Sequence, residues 1–221
     1  MSEITLLNPD IEQYLQNLQK SREPVLVEME ERAAKDDFPI VGPLVGRLCK
    51  MLSLAIGAKD IFELGSGFGY STYWFAQAVG PQGRVVHTDN DQKRSNEAKA
   101  YLKKAGLEPR VHFEVGDAVE ILKQYPGPFD VLFCDIDKHG YPEALELMRS
   151  RVRVGGLLIT DNTLWSGKVL SPSSKQNADT KGVVKLNQAS FTATDLFTTL
   201  IPLRDGVTVS LKIAEEGRRR R

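Results

Sequence analysis

The chain has 221 residues, of which 41% are hydrophobic, 8% aromatic and 26% charged, a globular composition that excludes collagen-like, disordered and disulfide-scaffold classes. Lysine plus arginine equals aspartate plus glutamate at 29 each, but the run Arg218 to Arg221 holds four of the basic residues and leaves 25 against 29 in the body. A mildly acidic body speaks against wide, non-specific nucleic-acid binding, and no apolar run approaches the ~18 residues of a membrane span.

The length suits one domain: N-terminal helices over 1–57, an α/β core over 58–214 and a basic tail over 215–221. Ile11, Tyr14, Leu15 and Leu18 recur at helical spacing behind the start signal Asn8-Pro9-Asp10. Pro24 opens a second helix with Val25, Leu26, Met29 and Ala33. A third follows Pro43, with Leu44, Leu48, Met51, Leu52 and Ala55 expected along its inner side and Gly57 as its stop. From residue 59 short apolar runs alternate with helical segments. Strands are expected at 61–64, 85–88, 111–115, 131–134 and 157–160, and helices near 71–79, 91–105, 117–124 and 141–149. This alternation predicts a doubly wound, mostly parallel sheet with right-handed crossovers. Residues 166–182, rich in Ser, Pro, Gly, Asn and Asp, are expected to form a surface loop, either a substrate lid or a plain connection. Residues 196–203 and 207–213 flank Arg204-Asp205-Gly206 and predict a closing antiparallel hairpin, for seven strands in all. Cys49 and Cys134 sit in apolar stretches and read as buried thiols of a reducing compartment. With no charged-then-apolar leader visible, a cytoplasmic location is expected.

The chemistry concentrates at predicted strand ends. Glu63-Leu64-Gly65-Ser66-Gly67-Phe68-Gly69-Tyr70-Ser71 joins the first strand to its helix, where glycines let the backbone approach a ligand. Asp89 ends the second strand, twenty residues beyond Gly69, where an acid can bind both hydroxyls of a ribose. The spacing G-x-G-x-G, with Glu63 just before it, suits the cationic amino-acid end of S-adenosylmethionine better than the diphosphate of NAD. Asp135 and Asp161-Asn162 follow the fourth and fifth strands and offer three hard oxygen ligands that suit Mg²⁺. Each would also serve as a helix cap or turn residue. His87, His112 and His139 are scattered, so zinc is not expected.

Taken in order, Glu63-x-Gly65-x-x-x-Gly69-Tyr70-Ser71, Asp89, Gly116-Asp117-Ala118, Asp135-Ile136-Asp137-Lys138 and Asp161-Asn162-Thr163-Leu164-Trp165 resemble the cation-dependent O-methyltransferases, the family of caffeoyl-CoA and catechol O-methyltransferases. The resemblance runs from about residue 38 to 213 and implies a Rossmann-like methyltransferase fold. It implies cofactor contacts at Val41, Glu63, Gly65, Ser71, Asp89, Ala118 and Asp135, metal ligands at Asp135, Asp161 and Asn162, and Lys138 as general base. S-adenosyl-L-methionine and Mg²⁺, or Mn²⁺, are the implied cofactors, a phenolic small molecule the partner, and a homodimer the assembly. Ile136, in place of the common alanine, and His139-Gly140, in place of the plant Asp-Asn, depart from the plant pattern. Two alternatives accompany this reading. One is methylation of a hydroxylated wobble uridine in tRNA, for which Arg149, Arg151, Arg153, Lys103-Lys104 and the arginine tail would form a basic face. The other is a non-catalytic module that binds an adenosine cofactor.

Overall fold

In the computed structural model, which describes residues 8–19 and 23–215, the N-terminal helices begin where the start signals stand. Helix α1 (Pro9–Asn17) is capped by Asn8, whose side chain accepts a hydrogen bond from the Asp10 N–H at 2.8 Å. Helix α2 (Pro24–Lys35) has proline at its first turn and buries Val25, Leu26, Met29 and Ala33, as the spacing predicts. Leu26 and Met29 are almost fully enclosed, and burial of this kind contributes about 1.5–3 kcal/mol per side chain.

Helix α3 (Gly42–Ala55) corrects the expectation for its inner face. The buried residues are Gly42, Val45, Gly46, Cys49 and Ser53, while Met51 and Leu54 are exposed. The reason is close packing against α4 (Tyr70–Val79): a Cβ at Gly46 would stand 2.2 Å from Nε1 of Trp74. Small residues let the two helices approach, and the leucine stripe is displaced to the flanks.

The described chain divides into two compact units, one within Leu7–Ala118 and one from Val119 onward. In the first, β1 (Asp60–Leu64), β2 (Arg84–Asp89) and β3 (Val111–Val115) are parallel, with Ile61 opposite Val85 and Val85 opposite Val111. Helix α5 (Gln92–Lys104) follows β2 and is capped by the Asp91 side chain, which accepts from the Lys93 N–H at 2.7 Å. Helix α6 (Ala118–Gln124) follows β3.

The second unit holds β4 (Phe129–Cys134), α7 (Tyr141–Arg151), β5 (Val152–Thr160), α8 (Ala178–Thr192), β6 (Leu196–Ile201) and β7 (Val207–Lys212). Strand β5 starts five residues before the expected position, because a bulge at Gly155-Gly156 shifts its pairing with β4 between Phe129 and Val131. A Cβ at Gly156 would meet the Asp130 carbonyl oxygen at 2.8 Å. Residues 166–182 are not a plain loop: two 3₁₀ turns, Trp165–Leu170 and Ser173–Lys175, lead into α8, an element absent from the sequence reading.

The seven-stranded sheet has the order β3-β2-β1-β4-β5-β7-β6, with β7 antiparallel to both β5 and β6. The mostly parallel sheet with a closing hairpin is therefore the architecture expected from the alternation of elements. Cys49 and Cys134 are both buried, and neither is in a disulfide. Among the described residues no helix is long and apolar enough to cross a membrane. The run Arg218 to Arg221 lies outside the described residues.

Candidate active site

The glycine loop follows β1 and is stitched to the end of β2. Thr88 Oγ1 donates to the Glu63 carbonyl oxygen at 2.6 Å, the Ser66 N–H to the Thr88 carbonyl oxygen at 2.9 Å, and the Gly67 N–H to Asp89 Oδ2 at 3.0 Å. Gly69 adopts φ 89° at the start of α4, where a Cβ would lie 2.8 Å from that of Ala98, so only glycine fits the turn. Phe38 packs on the loop, with its ring centroid 5.1 Å from that of Phe68.

Glu63 is completely buried, and neither of its carboxylate oxygens has a hydrogen-bond partner. Burial pushes its carboxyl up to about 7, and the nearby hydroxyls of Ser71, Thr72 and Ser66 offset that only in part. A fully buried acid that neighbouring hydroxyls only partly offset, at the start of the glycine loop, suits a ligand that brings a cation. Asp89 is buried, and its Oδ1 accepts from the Asp91 N–H at 2.8 Å. Burial raises its pKa, opposed by the N–H groups of Asp91 and Gly67 and by the Arg94 guanidinium. Each Asp89 oxygen keeps acceptor capacity beyond its one N–H, which suits a pair of ribose hydroxyls. The Gly116 N–H donates to the Asp89 carbonyl oxygen at 3.0 Å and leads to Ala118, the first residue of α6. Within this unit Glu63, Gly65, Ser71 and Asp89 belong to one connected turn system, with Ala118 joined through Gly116. Val41 is the buried residue preceding α3, three positions after Phe38.

The second group lies in the unit from Val119 onward, at the ends of β4 and β5. Cys134 and Thr160 are paired, and the Asp161 N–H donates to the Cys134 carbonyl oxygen at 3.1 Å. Asp161 is 3% exposed, and its carboxyl is pushed up to about 7 by burial and then by Asp135. Asn162 adopts a left-handed φ of 55°. Lys138 Nζ donates to Asp135 Oδ1 at 2.7 Å and to the Ile136 carbonyl oxygen at 3.1 Å. The same amine lies 5.0 Å from the Tyr141 ring and 5.8 Å from the Trp165 ring. The Tyr141 hydroxyl, fully buried, donates to the Asp161 carbonyl oxygen at 2.8 Å. All four expected residues, Asp135, Lys138, Asp161 and Asn162, are therefore tied to one pair of strand ends.

Asp135 raises the proton affinity of the buried Asp161 carboxyl, and a cation held beside Asp161 would relieve that repulsion. Among the described residues no group of three or more His, Cys, Asp or Glu side chains is gathered to hold a metal ion. The candidate set here is two carboxylates and the Asn162 amide, with room in the shell for acceptor oxygens and water.

Sequence reasoning missed the elements that brace this group. Gly182 of α8 abuts the Lys138 backbone so closely that a Cβ would sit 2.0 Å from the Lys138 carbonyl oxygen. Asn187 Nδ2 donates to the Thr163 carbonyl oxygen at 2.7 Å. The turn before β7 is stitched to the same place: the Thr163 and Leu164 N–H groups donate to the Gly206 and Asp205 carbonyl oxygens at 2.9 and 2.8 Å. The cap at Asn177, whose side chain accepts from the Thr180 N–H, was the available signal for α8. The basic residues considered for a nucleic-acid face are mostly engaged in pairs: Arg149 with Asp195 at 2.8 Å, Arg153 with Asp130 at 2.6 Å, and Lys104 with Glu28.

A family model described as O-methyltransferase matches residues 16–213. The chain belongs to the O-methyltransferase family. This O-methyltransferase is 33% identical to a catechol O-methyltransferase of Niastella koreensis over 76% of this chain and 79% of that relative. It is 31% identical to a caffeoyl-CoA O-methyltransferase of Stellaria longipes over 83% and 82% respectively. Among solved structures it is similar to the O-methyltransferase TomG of Streptomyces achromogenes, involved in tomaymycin synthesis and determined in complex with SAM. That likeness has a TM-score of 0.85 and 27% identity, covering 93% of this chain and 96% of that one. An O-methyltransferase of Bacillus cereus in complex with SAH gives a TM-score of 0.83 and 26% identity over 92% and 97%. Membership of an enzyme family sets aside the non-catalytic module.

Proposed function

We propose that this O-methyltransferase moves a methyl group from S-adenosylmethionine to one hydroxyl of a catechol-like small molecule, with Mg²⁺ or Mn²⁺ held by Asp135, Asp161 and Asn162. The observation that carries this reading is the Lys138 amine, 2.7 Å from Asp135 and flanked by the Tyr141 and Trp165 rings, at the strand ends that hold Asp161. A phenol, with its ordinary pKa near ~10, is a poor nucleophile at neutral pH and needs both charge stabilisation and a proton acceptor. When bound, S-adenosylmethionine supplies the methyl on a sulfonium, and the divalent cation supplies charge that favours the phenolate of a chelating acceptor.

The chain's own residues do the rest. Glu63 pairs with the cofactor's ammonium, and Asp89 accepts from the ribose hydroxyls. The glycine loop admits the cofactor against the backbone. Lys138 takes the acceptor's proton at Nζ, and Asp135 and the Ile136 carbonyl hold that nitrogen in place. Tyr141 fixes the Asp161 backbone and, with Trp165, screens the amine from water. Orientation of the two reactants is the main catalytic contribution. The relatives that act on catechol and caffeoyl-CoA support the acceptor class. The exposed apolar residues Ile11 and Tyr14 of α1 and Leu18 just after it support a homodimer.

The test is an acceptor screen with methyl-labelled S-adenosylmethionine and Mg²⁺, setting catechol, caffeoyl-CoA and tRNA carrying hydroxylated uridine side by side. Label on a vicinal diol supports the reading, and label confined to tRNA overturns it.

A further inference from the structure

Of the three histidines, His112 and His139 are exposed, while His87 is fully buried and takes no part in the chemistry above. It stands on β2, where its ring meets α4 and α5. Its Nδ1 lies 3.1 Å from Thr72 Oγ1 on α4, and its Nε2 lies 3.4 Å from Ser95 Oγ on α5. The ring packs on Phe113 of β3, with centroids 5.2 Å apart. Thr72 and Ser95 are buried as well, so both ring nitrogens find their partners inside the core. Val85 and Val86 fill the same strand without polar groups. A polar trio in that position costs desolvation that apolar packing would avoid.

The trio leads to Glu63. The Thr72 hydroxyl is one of three beside that buried carboxyl that oppose the effect of burial on it. Burial also holds the His87 imidazole down to about 3, so the ring is neutral and carries one proton. Among the described residues no charged group contributes to either effect. Proton counting then sets the direction of the chain. An ionised carboxylate only accepts, and a threonine hydroxyl has one proton to give. When Thr72 donates to Glu63, its oxygen must accept from His87. That requires the imidazole proton on Nδ1 and leaves Nε2 to accept from Ser95. The opposite tautomer would draw the Thr72 proton to Nδ1 and turn only lone pairs toward Glu63.

We propose that His87 is a positioning residue for the cofactor. Held by Ser95 as the Nδ1–H tautomer, it aims the Thr72 hydroxyl at the Glu63 carboxylate and favours the ionised form that receives the cofactor's ammonium. The inference rests on the reading of Glu63 given above. A hydrogen bond to a charged group inside the core is stronger than one between neutral groups, so the direction of one buried proton is felt at the ligand.

The first experiment needs no substitution. Nitrogen-15 correlation spectra of wild type saturated with S-adenosylhomocysteine, which keeps the ammonium, read the His87 tautomer directly. A proton on Nδ1 and a bare Nε2 are expected, and the opposite tautomer or a doubly protonated ring overturns the proposal. The second is calorimetry with S-adenosylhomocysteine and with methylthioadenosine, which lacks the amino-acid end. Thr72→Val and His87→Leu are each expected to weaken S-adenosylhomocysteine by about 10- to 100-fold, and methylthioadenosine by less than about 2-fold. The double variant should bind within about 2-fold of the weaker single one, because both changes break one chain. His87→Asn, whose amide nitrogen can stand in for Nδ1–H, should bind more tightly than Thr72→Val. Additive losses, or equal losses for the two ligands, would assign His87 to packing and overturn the proposal. If His87→Leu fails to fold, the tautomer and His87→Asn still decide: an asparagine variant as weak as Thr72→Val overturns it. Should Glu63→Gln weaken S-adenosylhomocysteine while Thr72→Val does not, this inference alone fails. Should Glu63→Gln bind like wild type, the reading of Glu63 fails, and this inference with it.

Discussion

Glu63 provides a test in which the group proposed to bind the cofactor destabilises the protein without it. Its carboxyl is wholly buried and is pushed from 4.5 up to about 7 by burial, which the hydroxyls of Ser71, Thr72 and Ser66 offset only in part. A carboxyl with a raised pKa binds more protons in the folded state than in the unfolded one. Its contribution is therefore intact below about pH 4.5 and is lost as pH rises through about 7. At about 1.4 kcal/mol per pH unit, the loss above pH 7 is of order 3 kcal/mol. Glu63→Gln keeps the shape and removes the ionisation. The variant is expected to gain on wild type progressively between pH 5 and 8 in urea unfolding of the ligand-free protein, by up to about 3 kcal/mol. Asp161, also pushed up to about 7, titrates in both proteins and drops out of the difference. Calorimetry should show the reverse order for S-adenosylmethionine: the variant binds more weakly by roughly 1.5–3 kcal/mol, the worth of a hydrogen bond to a charged group. Wild type should also release a proton on binding near pH 6.5. Parallel stability curves for the two proteins would show that Glu63 does not titrate on burial, and equal cofactor affinity would show that it does not pair with the cofactor.

Asp89→Ala should weaken S-adenosylmethionine by more than 100-fold, because two charge-assisted contacts are lost and the Gly67 and Asp91 N–H groups lose their acceptor; calorimetry with an unchanged dissociation constant would contradict it. Lys138→Ala should lower kcat by about 10²–10⁴-fold with cofactor affinity unchanged, and the loss should shrink as pH rises and the acceptor ionises unaided. A pH–rate profile with the same fractional loss throughout would assign Lys138 to positioning. Gly182→Ala should destabilise the protein by about 1–3 kcal/mol in urea and lower kcat, since a methyl there meets the Lys138 carbonyl oxygen at 2.0 Å. Wild-type stability in that variant would show that α8 does not brace the Lys138 turn.

The strand ends were legible because their chemistry is local. Asp89, Asp135 and Asp161 stand where short apolar runs stop, Glu63 is the penultimate residue of β1, and Gly69 stands at the start of α4. Helix α8 was not legible for a physical reason. Gly182, Asn187 and Ser190 are weak helix formers, and Gly182 and Asn187 stand where they do because the helix must approach the Lys138 backbone and reach the Thr163 carbonyl. Their presence erased the apolar period that Val183 and Leu186 begin. The inner face of α3 failed in the same manner, since packing on Trp74 required Gly46 where a leucine stripe suggested a different side. At β5, the Gly155-Gly156 pair reads as a break in sequence but serves as a bulge within one strand. Tertiary contact overrode local propensity in all three cases.

Methyl transfer to a catechol, measured before and after metal removal, decides whether this O-methyltransferase works through a divalent cation. Asp135, Asp161 and Asn162 offer three oxygens, about half the shell Mg²⁺ requires, so two vicinal acceptor oxygens and a water are needed to complete it. Protein treated with EDTA is expected to lose activity and to regain it with Mg²⁺ or Mn²⁺. It should recover poorly with the larger Ca²⁺, and Asp161→Ala should remain inactive at ordinary Mg²⁺ while still binding S-adenosylmethionine. Full-rate methylation of a catechol by the EDTA-treated protein, or wild-type activity in Asp161→Ala without added metal, would contradict it.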